Sequence, residues 1–104
     1  MSTYKLMMSI PAVNDLQEIS RYIARELREP ETAQKLVAKI KRNVMRLSEL
    51  PTRYPCTADP YLASRGIRRI AVDHYLVFYL IHEEERTVSI IRILSGKRNW
   101  EQLL

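Results

Sequence analysis

Two glycines, one cysteine, two histidines and one tryptophan leave little material for several common kinds of site. Neither Gly66 nor Gly96 opens a helix after a strand, as a phosphate-cradling loop requires, so no nucleotide cofactor is expected. The lone Cys56 closes no internal disulfide and has no neighbouring histidine to activate it, which suits an incidental thiol in a reducing compartment. His74 and His82 stand at no metal-ligand spacing with cysteine or carboxylate, and they read as solvated turn residues, with no metal and no other cofactor expected. Paired carboxylates and a serine elbow are also missing from any recognisable spacing. No stretch approaches the roughly 18 successive apolar residues of a membrane span, and Met1–Ile10 lacks the pattern of an export leader. The expectation is a cytoplasmic protein that does not engage a membrane.

What is present is a balance of 46% hydrophobic and 28% charged residues, that of a folded domain and not of a disordered tail. A chain of 104 residues encloses one core, so residues 1–104 are expected to form one domain. The net charge of +5 and a pI near 9.6 favour a polyanion or an acidic protein as partner, without choosing between them.

Periodicity orders the chain. Tyr4–Met8 reads as a strand that ends at Ser9-Ile10-Pro11, where the proline suits a first helical turn. From Ala12, the residues Leu16, Ile19, Ile23 and Leu27 recur every three or four positions, with Arg21, Arg25 and Arg28 on the opposite side. Pro30 ends that helix and opens another, whose stripe is Ala33, Leu36, Val37, Ile40, Val44 and Leu47. Lys35, Lys39, Arg42 and Arg46 line its wet side, and Pro51 stops it. Helices joined so tightly form an antiparallel hairpin with a common apolar surface. Thr52–Ser64, with Pro55 and Pro60, has no period and reads as an ordered loop.

Ile67–Val72, Tyr75–Ile81 and Thr87–Leu94 are then three strands, separated by Asp73-His74 and the acidic tip His82–Arg86. Tyr75–Ile81 is apolar or aromatic throughout, which suits a central strand covered on both faces. The helices cover one face; Asn99–Leu104 and a partner are the candidates for the other. The predicted class is α+β, with an N-terminal strand and an antiparallel helical hairpin packed on one face of a mainly antiparallel sheet, which a C-terminal three-stranded meander completes.

The candidate functional residues are cations near that meander: Arg65, Arg68, Arg69, Arg92, Lys97 and Arg98. Arginine and lysine hold phosphate oxygens or an acidic partner's carboxylates, and they stabilise charge that builds up in phosphodiester cleavage. Arg68 and Arg69 point to opposite sides of their strand, so each serves a different surface. Arg92 lies between Ile91 and Ile93, and a cation in that setting needs a partner or a functional surface. Trp100 is either a core anchor or a binding hot spot.

The chain resembles the RelE/ParE toxin superfamily over nearly its whole length, closer to the ParE branch. The resemblance is carried by Ala12–Ile19 with Tyr22-Ile23, by Gly66–Arg69 leading to His74–Tyr79, and by Arg92–Arg98. It implies the toxin of a bacterial type II toxin–antitoxin module, of the kind associated with plasmid stabilisation and growth inhibition, held inactive by a cognate antitoxin covering the basic end of the sheet. It also implies one of two targets. A ParE-like toxin poisons DNA gyrase without chemistry of its own, whereas a RelE-like toxin is an mRNA interferase that cuts message on the ribosome, here with Arg69 and Arg98 as catalytic cations. In the RelE-like nucleases an arginine follows the tyrosine matched by Tyr75, and an aromatic or histidine stands near the C-terminus; here those positions hold Leu76 and Leu104. Leucine neither neutralises a phosphate nor moves a proton, so the expected function is gyrase poisoning. Arg68, Arg69, Arg92, Lys97, Arg98 and Trp100 are then the contacts to target or antitoxin. A ribonuclease and a non-toxic, antitoxin-binding relative are the alternatives, and a homodimer and a heterotetramer with antitoxin both stay open.

Overall fold

A computed structural model describes residues 3–54, 60–97 and 104. Strand β1 (Lys5–Met8) gives way at once to helix α1 (Ile10–Arg21). Ser9 makes that junction: its hydroxyl accepts from the Ala12 amide at 3.1 Å and donates to the Ile91 carbonyl at 2.8 Å. One side chain thus satisfies an orphan amide of the first helical turn and fastens the helix start to a distant strand. Pro11 occupies the first turn, where its missing N–H leaves no bond unmade.

The helix continues into a π-helical turn, Tyr22–Glu26, closed by the bond from the Leu27 amide to the Tyr22 carbonyl at 3.2 Å. This wider winding changes the phase of the apolar stripe. Leu27, assigned to that stripe by its spacing, is instead 49% exposed, while Ile23 stays buried. Arg28 then takes a positive φ of 54°, and the Glu29 amide reaches back to the Ile23 carbonyl at 3.1 Å, a helix ending that glycine usually makes. Pro30 opens α2 (Pro30–Arg46), which buries Ala33, Leu36, Ile40 and Val44 and keeps Lys35, Lys39, Arg42 and Arg46 in solvent.

The segment expected to be loop from Thr52 to Ser64 carries more structure than its sequence suggests. A 3-10 turn spans Pro51–Arg53, and a short helix α3 covers Pro60–Ser64. Both open with proline and are too short for any period to show, which is why pattern alone misses them. After Gly66, at φ 76°, come β2 (Arg68–Val72), β3 (Tyr75–His82) and β4 (Thr87–Ser95).

The sheet order is β1-β4-β3-β2. The last three strands form an antiparallel meander, and β1 joins β4 in parallel, with Lys5 opposite Thr87 and Met8 opposite Ile90. Between β3 and β4 the register slips: Phe78 faces Arg92 while Tyr79 faces Ile90, so Ile91 is an extra residue bulging from β4. The helices α1 and α2 pack over Ile70, Val72, Val77, Tyr79, Val88, Ile90 and Ile93. A second cluster, Leu62, Ile67, Phe78 and Leu94, occupies the other face, with Leu76, Leu80, Ile91 and Leu104 packed against it. β3 is therefore the central strand that its unbroken apolar run implies. Its second face is covered by Leu62 of α3 and by Ile67 as well as by Leu104, where the sequence pointed to the C-terminal segment and a partner. The Tyr79 hydroxyl, fully buried, donates to the Pro51 carbonyl at 2.7 Å and ties the 3-10 turn to the sheet.

Candidate interaction surface

The cations singled out by sequence do not form one cluster. Arg92 is held within the fold by Asp15 of α1: its Nε lies 2.7 Å from Oδ2 and its Nη2 2.8 Å from Oδ1, a two-pronged pairing. Asp15 Oδ2 also accepts the Ile93 amide at 3.0 Å. Those bonds have a topological cause. β1 ends at Met8, opposite Ile90, so beyond that point β4 has an unpaired edge. Ser9 then takes the Ile91 carbonyl and Asp15 takes the Ile93 amide, so side chains from the start of α1 replace the missing strand. The hydrogen bonds to Asp15 raise the Arg92 pKa further above its usual value. Arg92 thus has the partner its apolar neighbours demanded. Asp15, which supplies it, is buried on the stripe side of α1, between Ala12 and Ile19; a carboxylate at a stripe position was the available signal.

Arg68 and Arg69 diverge as alternation requires. Arg68 lies opposite Tyr79, on the helix side, and donates to the Tyr54 carbonyl. Arg69 lies opposite Phe78, on the second face. In the register Arg69, Phe78 and Arg92 form one row across β2, β3 and β4. Arg65 sits at the β2 entry, 5.7 Å from the Tyr61 ring centroid and 3.4 Å from the Leu104 carbonyl oxygen. Lys97 is at the opposite end of the sheet, just past Gly96, whose amide bonds to the His74 carbonyl at 2.9 Å. There it borders a cleft of about 550 Å³ with Lys35, Lys39, Asp73, His74 and Tyr75. Lys39 is paired with Asp73 at 2.6 Å on the surface. Burial, with Tyr22 nearby, pushes the Tyr75 phenol above its ordinary pKa. Arg98, Trp100 and Cys56 lie outside the described residues.

Leu76, at the position where a nuclease of the resembling kind carries arginine, packs into the apolar cluster of the second face, as does Leu104. Among the described residues, no group of three histidines, cysteines or acids is placed to hold a metal ion, and no helix is long and apolar enough to cross a membrane.

A surface that the cation argument overlooked lies along β1. Met7, Met8, Ile10, Val13 and Met45 are all exposed there. One groove, of about 740 Å³, runs from Met8 and Val13 past Leu16 and Ala24 to Val37, and another, of about 410 Å³, is lined by Asp15, Ile19, Tyr22 and Tyr75. A third, of about 330 Å³, shares Met8, Leu16 and Lys41 with the first and continues along Leu6, Ile40, Val44 and Met45.

Comparison with known proteins follows the fold. Residues 6–100 match the family model described as the ParE toxin of the type II toxin–antitoxin system, parDE. No curated sequence is similar enough to the chain to count as a match. Among solved structures, the chromosomal ParDE toxin–antitoxin system from P. aeruginosa superposes with a TM-score of 0.72 at 21% identity, covering 89% of this chain and 96% of that one. The RelBE2 complex of Mycobacterium tuberculosis gives 0.67 at 19% identity, over 89% and 98% of the two chains. The intact E. coli RelBE complex gives 0.59 at 16% identity, over 91% and 99%.

Proposed function

The chain belongs to the ParE toxin family of type II toxin–antitoxin systems, and from that premise we propose that it arrests bacterial growth by ParE-like poisoning of DNA gyrase, under the control of a cognate antitoxin. The observation that carries this reading is Leu76. Its side chain is packed with Phe78, Leu94 and their neighbours on the second sheet face, where nuclease chemistry would need a cation to neutralise phosphate. Leu104 packs against the same cluster and supplies no group able to move a proton. A toxin that acts by gripping its target needs neither.

Arg68, Arg69, Lys97, Arg98 and Trp100 are the proposed contacts to the target. Arg92, held by Asp15, contributes by fixing β4. Purified protein is expected to increase gyrase-dependent DNA cleavage and to leave ribosome-bound message intact. The double change Arg69→Ala and Lys97→Ala is expected to lower gyrase potency about tenfold, a loss of about 1.4 kcal/mol of contact energy. Codon-positioned cuts in message on programmed ribosomes, with gyrase unaffected, would establish the ribonuclease reading instead. Absence of any growth arrest on induction without antitoxin would leave a non-toxic antitoxin-binding relative.

A further inference from the structure

The π-helical turn after α1 shapes a cleft with a chemistry of its own. Its wide winding leaves Tyr22 and Leu27 exposed, and the chain leaves it through Arg28 in a left-handed conformation. Wide turns and strained residues of this kind recur at functional sites. Two hollows, of about 550 and 410 Å³, meet at this turn and share Leu27, Tyr75 and Ser95. Small-molecule sites occupy about 300–1,000 Å³. The joined cleft has no lining residue in common with the grooves beside β1.

Its two ends differ. The larger end carries Lys35 and Lys97 and no arginine, while Lys39 is engaged by Asp73 at 2.6 Å. Glu29 also lines that end, so the remaining lysines leave it cationic. An ammonium group binds phosphate as a point charge, whereas a carboxylate is better matched by the planar fork of arginine. The smaller end is walled by Ile19, Tyr22, Tyr75 and Ile93. The two phenols are neighbours: after burial, Tyr22 is what raises the Tyr75 pKa. Asp15, at the same end, is taken by Arg92 and the Ile93 amide, which leaves Glu18 as the acceptor for a ligand. A fitting ligand therefore joins a phosphate to a flat ring that stacks on phenols and donates an N–H. We infer that this cleft binds a nucleotide unit, its phosphate at Lys35 and Lys97, its base against Tyr22 and Tyr75, and an exocyclic amine toward Glu18. No glycine-rich loop takes part, because side chains hold the phosphate in place of backbone amides. A free nucleotide and the end of a DNA strand present the same chemistry. Lys35, Tyr22 and Glu18 are not among the target contacts proposed above, so the inference stands apart from the gyrase reading.

Calorimetric titration of the purified chain tests it. Deoxyadenosine 5′-monophosphate is expected to saturate a single site. Deoxyadenosine and inorganic phosphate, each lacking half of the ligand, should bind at least about fivefold more weakly. Thymidine 5′-monophosphate, which has no exocyclic amine, should bind about threefold more weakly. Lys35→Ala should weaken the nucleotide but not deoxyadenosine, and Tyr22→Ser should weaken the nucleotide but not inorganic phosphate. Both side chains are exposed, so neither change empties the core. A 5′-phosphorylated single-stranded oligonucleotide that displaces the mononucleotide would support the site with a DNA strand as its source. A mononucleotide that binds and is not displaced would support it with the free nucleotide. Inorganic phosphate binding as tightly as the nucleotide, wild-type affinity in both variants, or no saturable binding would overturn the inference and leave the gyrase reading intact.

Discussion

Asp15→Asn keeps the shape of the side chain but deletes the charge that holds Arg92, whose side chain is 21% exposed. Stripping one partner from a buried ion pair costs about 3–5 kcal/mol. Solvent around Arg92 softens that, so a loss of about 2–3 kcal/mol in denaturant unfolding is expected. The apolar double replacement Asp15→Leu with Arg92→Met should recover part of it, because the penalty is chiefly an uncompensated charge. Loss of less than about 0.5 kcal/mol in the single variant would show that the pair is worth no more than a surface contact. Half of this pair was legible in the sequence. Arg92 between two isoleucines announces that it needs a partner, whereas Asp15 is silent about which of its neighbours it meets, since a helix of twelve residues and a strand far along the chain are brought together only by the fold.

Elements were legible where they are long and periodic, and illegible where a local hydrogen-bond choice decides. The stripes of α1 and α2 and the three runs of the meander show in the spacing of their apolar residues. The π-turn does not, because one additional residue in a helical turn leaves no compositional mark, and Leu27 was consequently assigned to the core. The helix α3 of Pro60–Ser64 escaped for want of length. The parallel pairing of β1 was equally hidden, since strand direction depends on where α1 and α2 deliver the chain. The link between those helices contains a residue poorly suited to its backbone: Arg28, at φ 54°. A left-handed conformation costs a residue with a side chain about 1–2 kcal/mol. Glycine relieves that cost and loses about 0.4–1 kcal/mol through the freer unfolded chain. Arg28→Gly is therefore expected to raise stability by up to about 1 kcal/mol, visible as a higher midpoint of thermal unfolding. A lowered midpoint would mean that the guanidinium makes contacts that outweigh the strain.

For the molecule as a whole, sequence foretold the layers but not the distribution of charge. The predicted cations are divided between two ends and two faces of the sheet, because alternation separates Arg68 from Arg69 and the hairpins carry Lys97 away from Arg65. One half-buried phenol contributes to the response to alkali. Burial raises the Tyr75 pKa from 10.0, so the folded protein keeps a proton that the unfolded chain releases. Stability from this source is complete below pH 10.0 and is lost as pH rises through the higher folded value. Melting between pH 8 and 12 should thus fall only above about 10, and Tyr75→Phe should flatten the fall; an unchanged slope would assign the alkaline loss to other groups. Tyr4, whose hydroxyl donates to Glu83 at 2.9 Å, shifts in the same direction. The pairing of β1 with β4 has a further consequence in time. Lys5 finds its register partner only when Thr87 has been made, and ribosomes add about 5–20 residues each second. A nascent chain therefore spends several seconds with its first strand waiting and its sheet unfinished. Protease pulses on stalled chains of increasing length should find resistance only after β4 has emerged.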